Sequence, residues 1–292
     1  MTQTTTSELE RLKNRKKNKE LMNKIYVGKE HSYVIHYSCE SFYDTNEQSF
    51  KTGRITSIGL RNLEDAQTHY WSIWLSAEIK KKEENIDESL DELEKDILEQ
   101  YFNFIKMNPR SYYIHWNMRD INYGFQALEH RYRVLGGEPT HISDDKKFDL
   151  ARALVSLYGR NYASHEYTDS NGTKHKGRLM VLAAMNKVAT KDAMEGSEEA
   201  IAFKEKNYKA LHMSTLRKLD MLANFFDRAH AGTLKNNGTF RETYGFHWSI
   251  LPELVRAHPL YTTIIVVISL LTGVIKFTTI IEPIKNFILN LL

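Results

Sequence analysis

Three consecutive stretches near the N-terminus read as strands: SYVIHYS at 32–38 alternates and is β-rich, and RITSIGLRNL at 54–63 and THYWSIWLS at 68–76 read as two further strands, the first a hairpin partner of SYVIHYS. The period then changes. From Lys80 to Met107 a charged first half, EENIDESLDELEKD, gives way to Ile97, Leu98, Tyr101, Phe102 and Ile105 at helical spacing, and Pro109 stops the run. YYIHWN at 112–117 returns to strand, followed by a predicted helix from about Ile121 to Leu135 that Gly136-Gly137 ends. Thereafter the patterns are helical. PTHISDDKKFDLARALVSLYG has a start signal at Ser143-Asp144-Asp145 and a stop at Gly159, and GRLMVLAAMNKVA, GSEEAIAFKEKNY and MSTLRKLDMLANFFDRAH give three more helices. NYASHEYTDSNGTKHKG and LKNNGTFRETYGFHW read as polar loops, and no internal repeat is present. Strands first, helices later and one strand between helices predict an α/β or α+β layout with a mixed sheet.

A chain of 292 residues, 41% hydrophobic, buries one sizeable core and has room for a small second unit. Its one cysteine, Cys39, excludes a disulfide framework and a multi-cysteine zinc site, and fits a reducing compartment. A net charge of +3 announces no polyanionic partner by itself, so any such case rests on local clustering. The one cationic cluster lies in residues 7–24: Arg11, Lys13, Arg15, Lys16, Lys17, Lys19 and Lys24 stand against three glutamates. Such a run is either a solvated tail or a contact for nucleic acid or anionic lipid. No Gly-rich phosphate loop follows a strand, and the 12 histidines form no His-x-x-x-His pair on a credible helix.

At the other end, LYTTIIVVISLLTGVIKFTTII (260–281) carries only the charge of Lys276. At ~1.5 Å per residue it spans roughly 33 Å, enough for a hydrocarbon core of ~30 Å. Its apolar residues run all round, which suits lipid better than a packed helix, although a buried C-terminal helix is the alternative. With a polar N-terminus, this predicts a single-pass C-terminal anchor with the soluble domain in the cytoplasm. The expected organisation is a basic lead-in at 1–28, a main domain at 29–240, a linker at 241–258 and an anchor at 259–292.

The segment with most chemistry is SYYIHWNMRDINYGFQALE (111–129), where His115, Asn117 and Asp120 gather between a strand and a helix. In α/β proteins, sites collect at the C-terminal ends of strands. The same residues also have a purely structural explanation, with His115 in the core and Asp120 as the N-cap of the helix.

Several patterns resemble the DEDD-type 3′ to 5′ exonuclease family and its ribonuclease-H-like fold. Three antiparallel strands, a long helix, a fourth strand and further helices follow the order of that fold. YVIHYSCESF places Ser38-Cys39-Glu40 where the family has its Asp-x-Glu. YYIHWNMRDINYGFQAL looks like a variant of its second motif, with Asn117 and Asp120 matching and Arg119 in the Phe place. FDLARAL (148–154) is similar to the start of its next helix, and LHMSTLRKLDMLANFF resembles its last motif. The likeness covers about residues 30–230. It implies Mg²⁺ or Mn²⁺ held by Glu40, Asp120 and Asp220, because hard cations take oxygen ligands and two ions ~3.5–4 Å apart serve phosphodiester hydrolysis. It further implies proton transfer by His115 or His212 with Asp120, and nucleic-acid contacts from Asn117, Arg119, Arg217 and Lys218. The chain departs from the family at Ser38, which replaces the first acid, and in the last motif, which offers either Asp220 in a shifted register or Lys218 in the acid's position.

Two functions follow as expectations. The first is a membrane-anchored, metal-dependent exonuclease acting on DNA or RNA, of a kind suited to defence against foreign nucleic acid. The second is a catalytically degenerate domain that senses nucleic acid or protein and is coupled to a C-terminal helix that acts on the membrane by homo-oligomerising or forming a pore.

Overall fold

The computed structural model describes residues 2–40, 52–119, 122–244, 263 and 267–272. The chain divides into two units, and residues Glu10–Thr239 form the larger. Its centre is a five-stranded mixed sheet of β1 (Ser32–Cys39), β2 (Ile55–Asn62), β3 (Thr68–Ser72), β4 (Tyr112–His115) and β5 (Lys147–Asp149), in the order β3-β2-β1-β4-β5. Strand β2 is antiparallel to both neighbours, while β4 and β5 run parallel to β1.

Alternation along β1 feeds two cores. Ile35, Tyr37 and Cys39 point into one, shared with Ile58 and Leu60 of β2 and with the apolar stripes of α3 (Leu90–Met107) and α4 (Phe125–Val134). Val34 points into the other, with Ile114 of β4, Phe148 of β5, and residues of α1 (Thr2–Val27), α5 (Leu150–Tyr158), α6 (Arg178–Met185) and α8 (Tyr208–His230). The remaining elements are α2 (Ile73–Lys80), α7 (Gly196–Lys204), α9 (Phe240–Tyr244) and a short hairpin of β6 (Glu166–Thr168) and β7 (Lys174–Lys176).

The predicted α/β class and mixed sheet are present, with local corrections. The third strand stops at Ser72, whose hydroxyl accepts the Leu75 N–H at 3.1 Å and starts α2, so Trp74 and Leu75 are helical. The Ser143-Asp144-Asp145 signal opens only a turn of 3₁₀ helix. The strand Lys147–Asp149 follows, and Asp149 caps α5 by accepting the Arg152 N–H at 3.2 Å. The helix predicted from about Ile121 to Leu135 begins at Phe125. The N-terminal segment is no free lead-in: Leu12, Met22 and Ile25 of α1 are buried, and residues from Glu10 onward belong to the main unit. Among the described residues no helix is long and apolar enough to cross a membrane. Of the predicted anchor, only residue 263 and the helical 267–272 are described, so the span predicted at 260–281 lies largely outside them, as does most of the predicted linker.

Helix α8 lies across β1 and β2 at a close approach fixed by Gly59. A Cβ built there would stand 2.4 Å from Leu219 Cδ1, well inside van der Waals contact. Gly59→Ala is therefore expected to overpack the interface and lower stability by about 1–3 kcal/mol. Urea unfolding reads this directly, and an unchanged midpoint would show that α8 can move away without cost.

Candidate functional site

Two sets of polar side chains gather on this sheet, one sealed under α8 and one on the rim where β1, β4 and β5 end. The sealed set centres on Glu199 of α7. Its Oε1 accepts Lys218 Nζ at 2.7 Å, Ser38 Oγ at 2.8 Å and Ser214 Oγ at 2.8 Å. Thr215 Oγ1 lies 2.9 Å from Ser38 Oγ and 2.5 Å from Ser57 Oγ, closing the network onto β2. Ser38 and Ser214 are fully enclosed, and Lys218 and Glu199 are buried. A buried carboxylate is tolerated only when paired and hydrogen-bonded, and here one ammonium and two hydroxyls supply both. Ser38 is also where the ladder slips, since Ser38 pairs with Ser57 but Cys39 with Ile55, leaving Thr56 as the extra residue of a bulge. His36, two residues before Ser38 on the same face, is buried, with its Nδ1 3.4 Å from the Tyr123 hydroxyl. Burial, with the Lys218 charge beside it, holds His36 well below the usual imidazole range.

At the rim, β4 ends in His115, whose Nδ1 accepts the Met118 N–H at 3.2 Å. Asn117 follows at φ 56, a left-handed conformation that asparagine adopts more readily than most residues. Its side-chain oxygen accepts from Arg119 Nη2 at 2.6 Å, while Arg119 Nε faces Asp149 Oδ2 at 2.7 Å at the end of β5. The loop that begins here is tied to the central strand: Gly124 N–H donates to the Tyr37 hydroxyl at 2.7 Å, and the Tyr123 hydroxyl donates to the Tyr37 carbonyl at 3.2 Å. Burial pushes His115 down to about 4, partly offset by Asp149, while Arg119, Lys147 and Arg152 reinforce the shift.

Asn117 and Arg119 are thus brought together, with Asp149, which the sequence did not single out. Asp120 lies outside the described residues. Glu40 sits at the exit of β1, where its Oε1 accepts the Arg54 N–H at 3.0 Å. Asp220 faces Arg61 at 3.3 Å and Arg217 at 3.4 Å. Arg61 pairs with Val34, six positions before Glu40 along β1, a backbone separation of roughly 20 Å at ~3.3 Å per residue. Among the described residues no group of three His, Cys, Asp or Glu side chains converges on a metal position. His212 stands away from His115, buried against Tyr70 at 5.0 Å and Trp74 at 5.4 Å over the edge strand β3, and burial lowers its pKa. Lys218 is inside the protein, and Arg217 donates Nε to the Lys191 carbonyl at 2.9 Å.

Glu199, Thr215 and His36 carry no sequence signature: Glu199 looks like any first-turn glutamate of a helix. Comparison with known proteins gives no match to this chain among family models, curated proteins or solved structures.

Lys218→Met strands the Glu199 carboxylate in the core and is expected to cost about 3–5 kcal/mol in urea unfolding, with much of it recovered in Lys218→Met/Glu199→Gln. Equal losses in the single and double variants would contradict the pairing. His115 adds a pH signature. Its native pKa of about 4, below the ordinary 6.5, means the folded state binds fewer protons between those values. Stability from this group is complete above pH 6.5 and is lost as pH falls toward 4. His115→Asn keeps an acceptor for Met118 N–H without titrating, so its urea midpoint is expected to fall less steeply over that window than the wild type's.

Proposed function

We propose that residues Glu10–Thr239 form a nucleic-acid-binding domain of ribonuclease-H-like type that does not hydrolyse its ligand through a paired-metal site. The observation that carries this reading is the sealed network at Ser38. Where the exonuclease resemblance calls for the first metal-binding acid, the central strand presents a serine hydroxyl to a carboxylate already neutralised by Lys218. A divalent cation there meets an ammonium in place of a second carboxylate, and cations repel. The strand order and the single antiparallel strand β2 support the fold half of the reading, because they follow the order the resemblance implies.

The binding half rests on the rim. Arg119, Lys147 and Arg152 surround His115 there, and Asn117 and Arg119 stand exposed at the tip of the parallel strands. Parallel α/β sheets take ligands at that end, where connections leave in opposite directions: β1 turns back to β2, and β4 leads on to β5. In this reading the apolar stretch at 260–281 tethers the domain to a bilayer. Val267, Ile268, Leu270 and Leu271 are about half exposed on the described helical residues, as lipid-facing side chains would be in water.

The test uses the full chain in detergent with fluorescent single-stranded DNA and RNA in Mg²⁺ or Mn²⁺. Binding that weakens with salt, without shortening of either strand, is expected. Shortening that disappears in Asp120→Asn would overturn the proposal and restore a metal-dependent exonuclease.

A further inference from the structure

Helix α1 holds two kinds of cation with opposite fates. Arg11 Nη1 donates to the Ser156 carbonyl and Arg15 Nε to the Leu157 carbonyl, each at 3.2 Å, so both satisfy the open C-terminal end of α5. Asn18 Nδ2 adds a bond to Ser156 Oγ at 2.8 Å. With Leu12, Met22 and Ile25 buried on the same side, these contacts lock the rotation of the helix and turn Lys13, Lys16, Lys17 and Lys24 outward. None of these four has a carboxylate within ion-pair distance among the described residues, and the acids on this stretch of the helix are Glu10 and Glu20. From Lys13 to Lys24 the row runs ~16 Å at ~1.5 Å per residue.

The row ends in aromatic rings interleaved with further lysines. Tyr112 has Lys24 Nζ 5.5 Å and Lys146 Nζ 4.4 Å from its ring centre. Tyr26, 37% exposed, stacks on His230 with centroids 3.8 Å apart and planes within 12°, and Lys29 Nζ stands 5.5 Å from its ring centre. The apolar side of α1 is used in the core, which leaves this helix no greasy face to insert into a bilayer interface. Ammoniums without a carboxylate within ion-pair distance, set along a rigid helix and leading to the partly exposed rings of Tyr26 and Tyr112, suit a single-stranded nucleic acid: phosphates on the lysines, bases on the rings.

We propose that the outward face of α1, continued by Tyr26, His230, Tyr112 and Lys146, is the track that binds single-stranded nucleic acid. This inference rests on the reading of the domain as a nucleic-acid binder and adds to the rim a second contact surface, away from the Ser38 network. Fluorescence anisotropy of a labelled 20-nucleotide single strand, titrated with full-length protein at several salt concentrations, tests it. Lys13→Glu/Lys17→Glu/Lys24→Glu is expected to weaken binding at least ~10-fold and to reduce the slope of log affinity against log salt by about 2, three phosphates at ~0.7 each. Tyr26→Ala is expected to weaken binding at least ~5-fold with little change in that slope, as loss of one stacking ring requires.

Circular dichroism and the urea midpoint confirm that the variants fold, and Lys13→Gln/Lys17→Gln/Lys24→Gln supplies a milder replacement if charge reversal does not. No binding by wild type overturns the functional reading itself. Wild-type binding that both lysine variants retain overturns the track alone and leaves the rim as the contact. Cosedimentation with phosphatidylglycerol vesicles that the lysine variants lose, while oligonucleotide binding is unaffected, assigns the helix to lipid and likewise overturns the track.

Discussion

Lys218 and Glu199 hold each other inside the protein at 2.7 Å, and three elements meet at that pair. Glu199 comes from α7, Lys218 from α8 and the serine hydroxyls from β1 and α8, so one carboxylate oxygen defines where two helices sit over the central strand. Gly59 sets the height of α8, and the polar bonds set its position along the strand. A buried pair of this kind adds little net stability over an apolar substitute, whereas removing one partner strands the other.

That arrangement also bears on the proposed chemistry. The family resemblance asks the middle of the sheet for several carboxylates around divalent ions, and the chain answers with Ser38, an ammonium and a single acid from a different helix. Glu40 and Asp220, which a linear reading groups together, lie toward opposite ends of β1 because antiparallel pairing carries Arg61, and with it Asp220, back to the strand's beginning. Acidic residues that line up with a motif do not thereby share a site.

The strands β1 and β2, the long amphipathic helices and the position of His115 and Asn117 were legible from periodicity, because each buries one face over enough residues to leave a repeat. Strand β5 was not, since Lys147–Asp149 is too short to show a period and is followed at once by the helix that Asp149 caps. The β6–β7 hairpin hid in a polar stretch because both its strands are largely exposed and leave no apolar face to read. Lys218 reads as solvent-facing from its charge, although its spacing from Leu211, Leu222 and Phe225 puts it on the buried stripe of α8, where Glu199, nineteen positions earlier, receives it. Arg15 is misread for the same reason: its charge looks like part of a solvated run until the end of α5 is placed beside it.

The Tyr37 hydroxyl receives the Gly124 amide and the Tyr37 carbonyl receives the Tyr123 hydroxyl, so a single residue of the middle strand grips two successive residues of the connection between β4 and α4. The connection is therefore hinged on the sheet interior instead of hanging from its own ends. That strand places alternate side chains in both cores, so the connection is held by the element the two halves of the interior share.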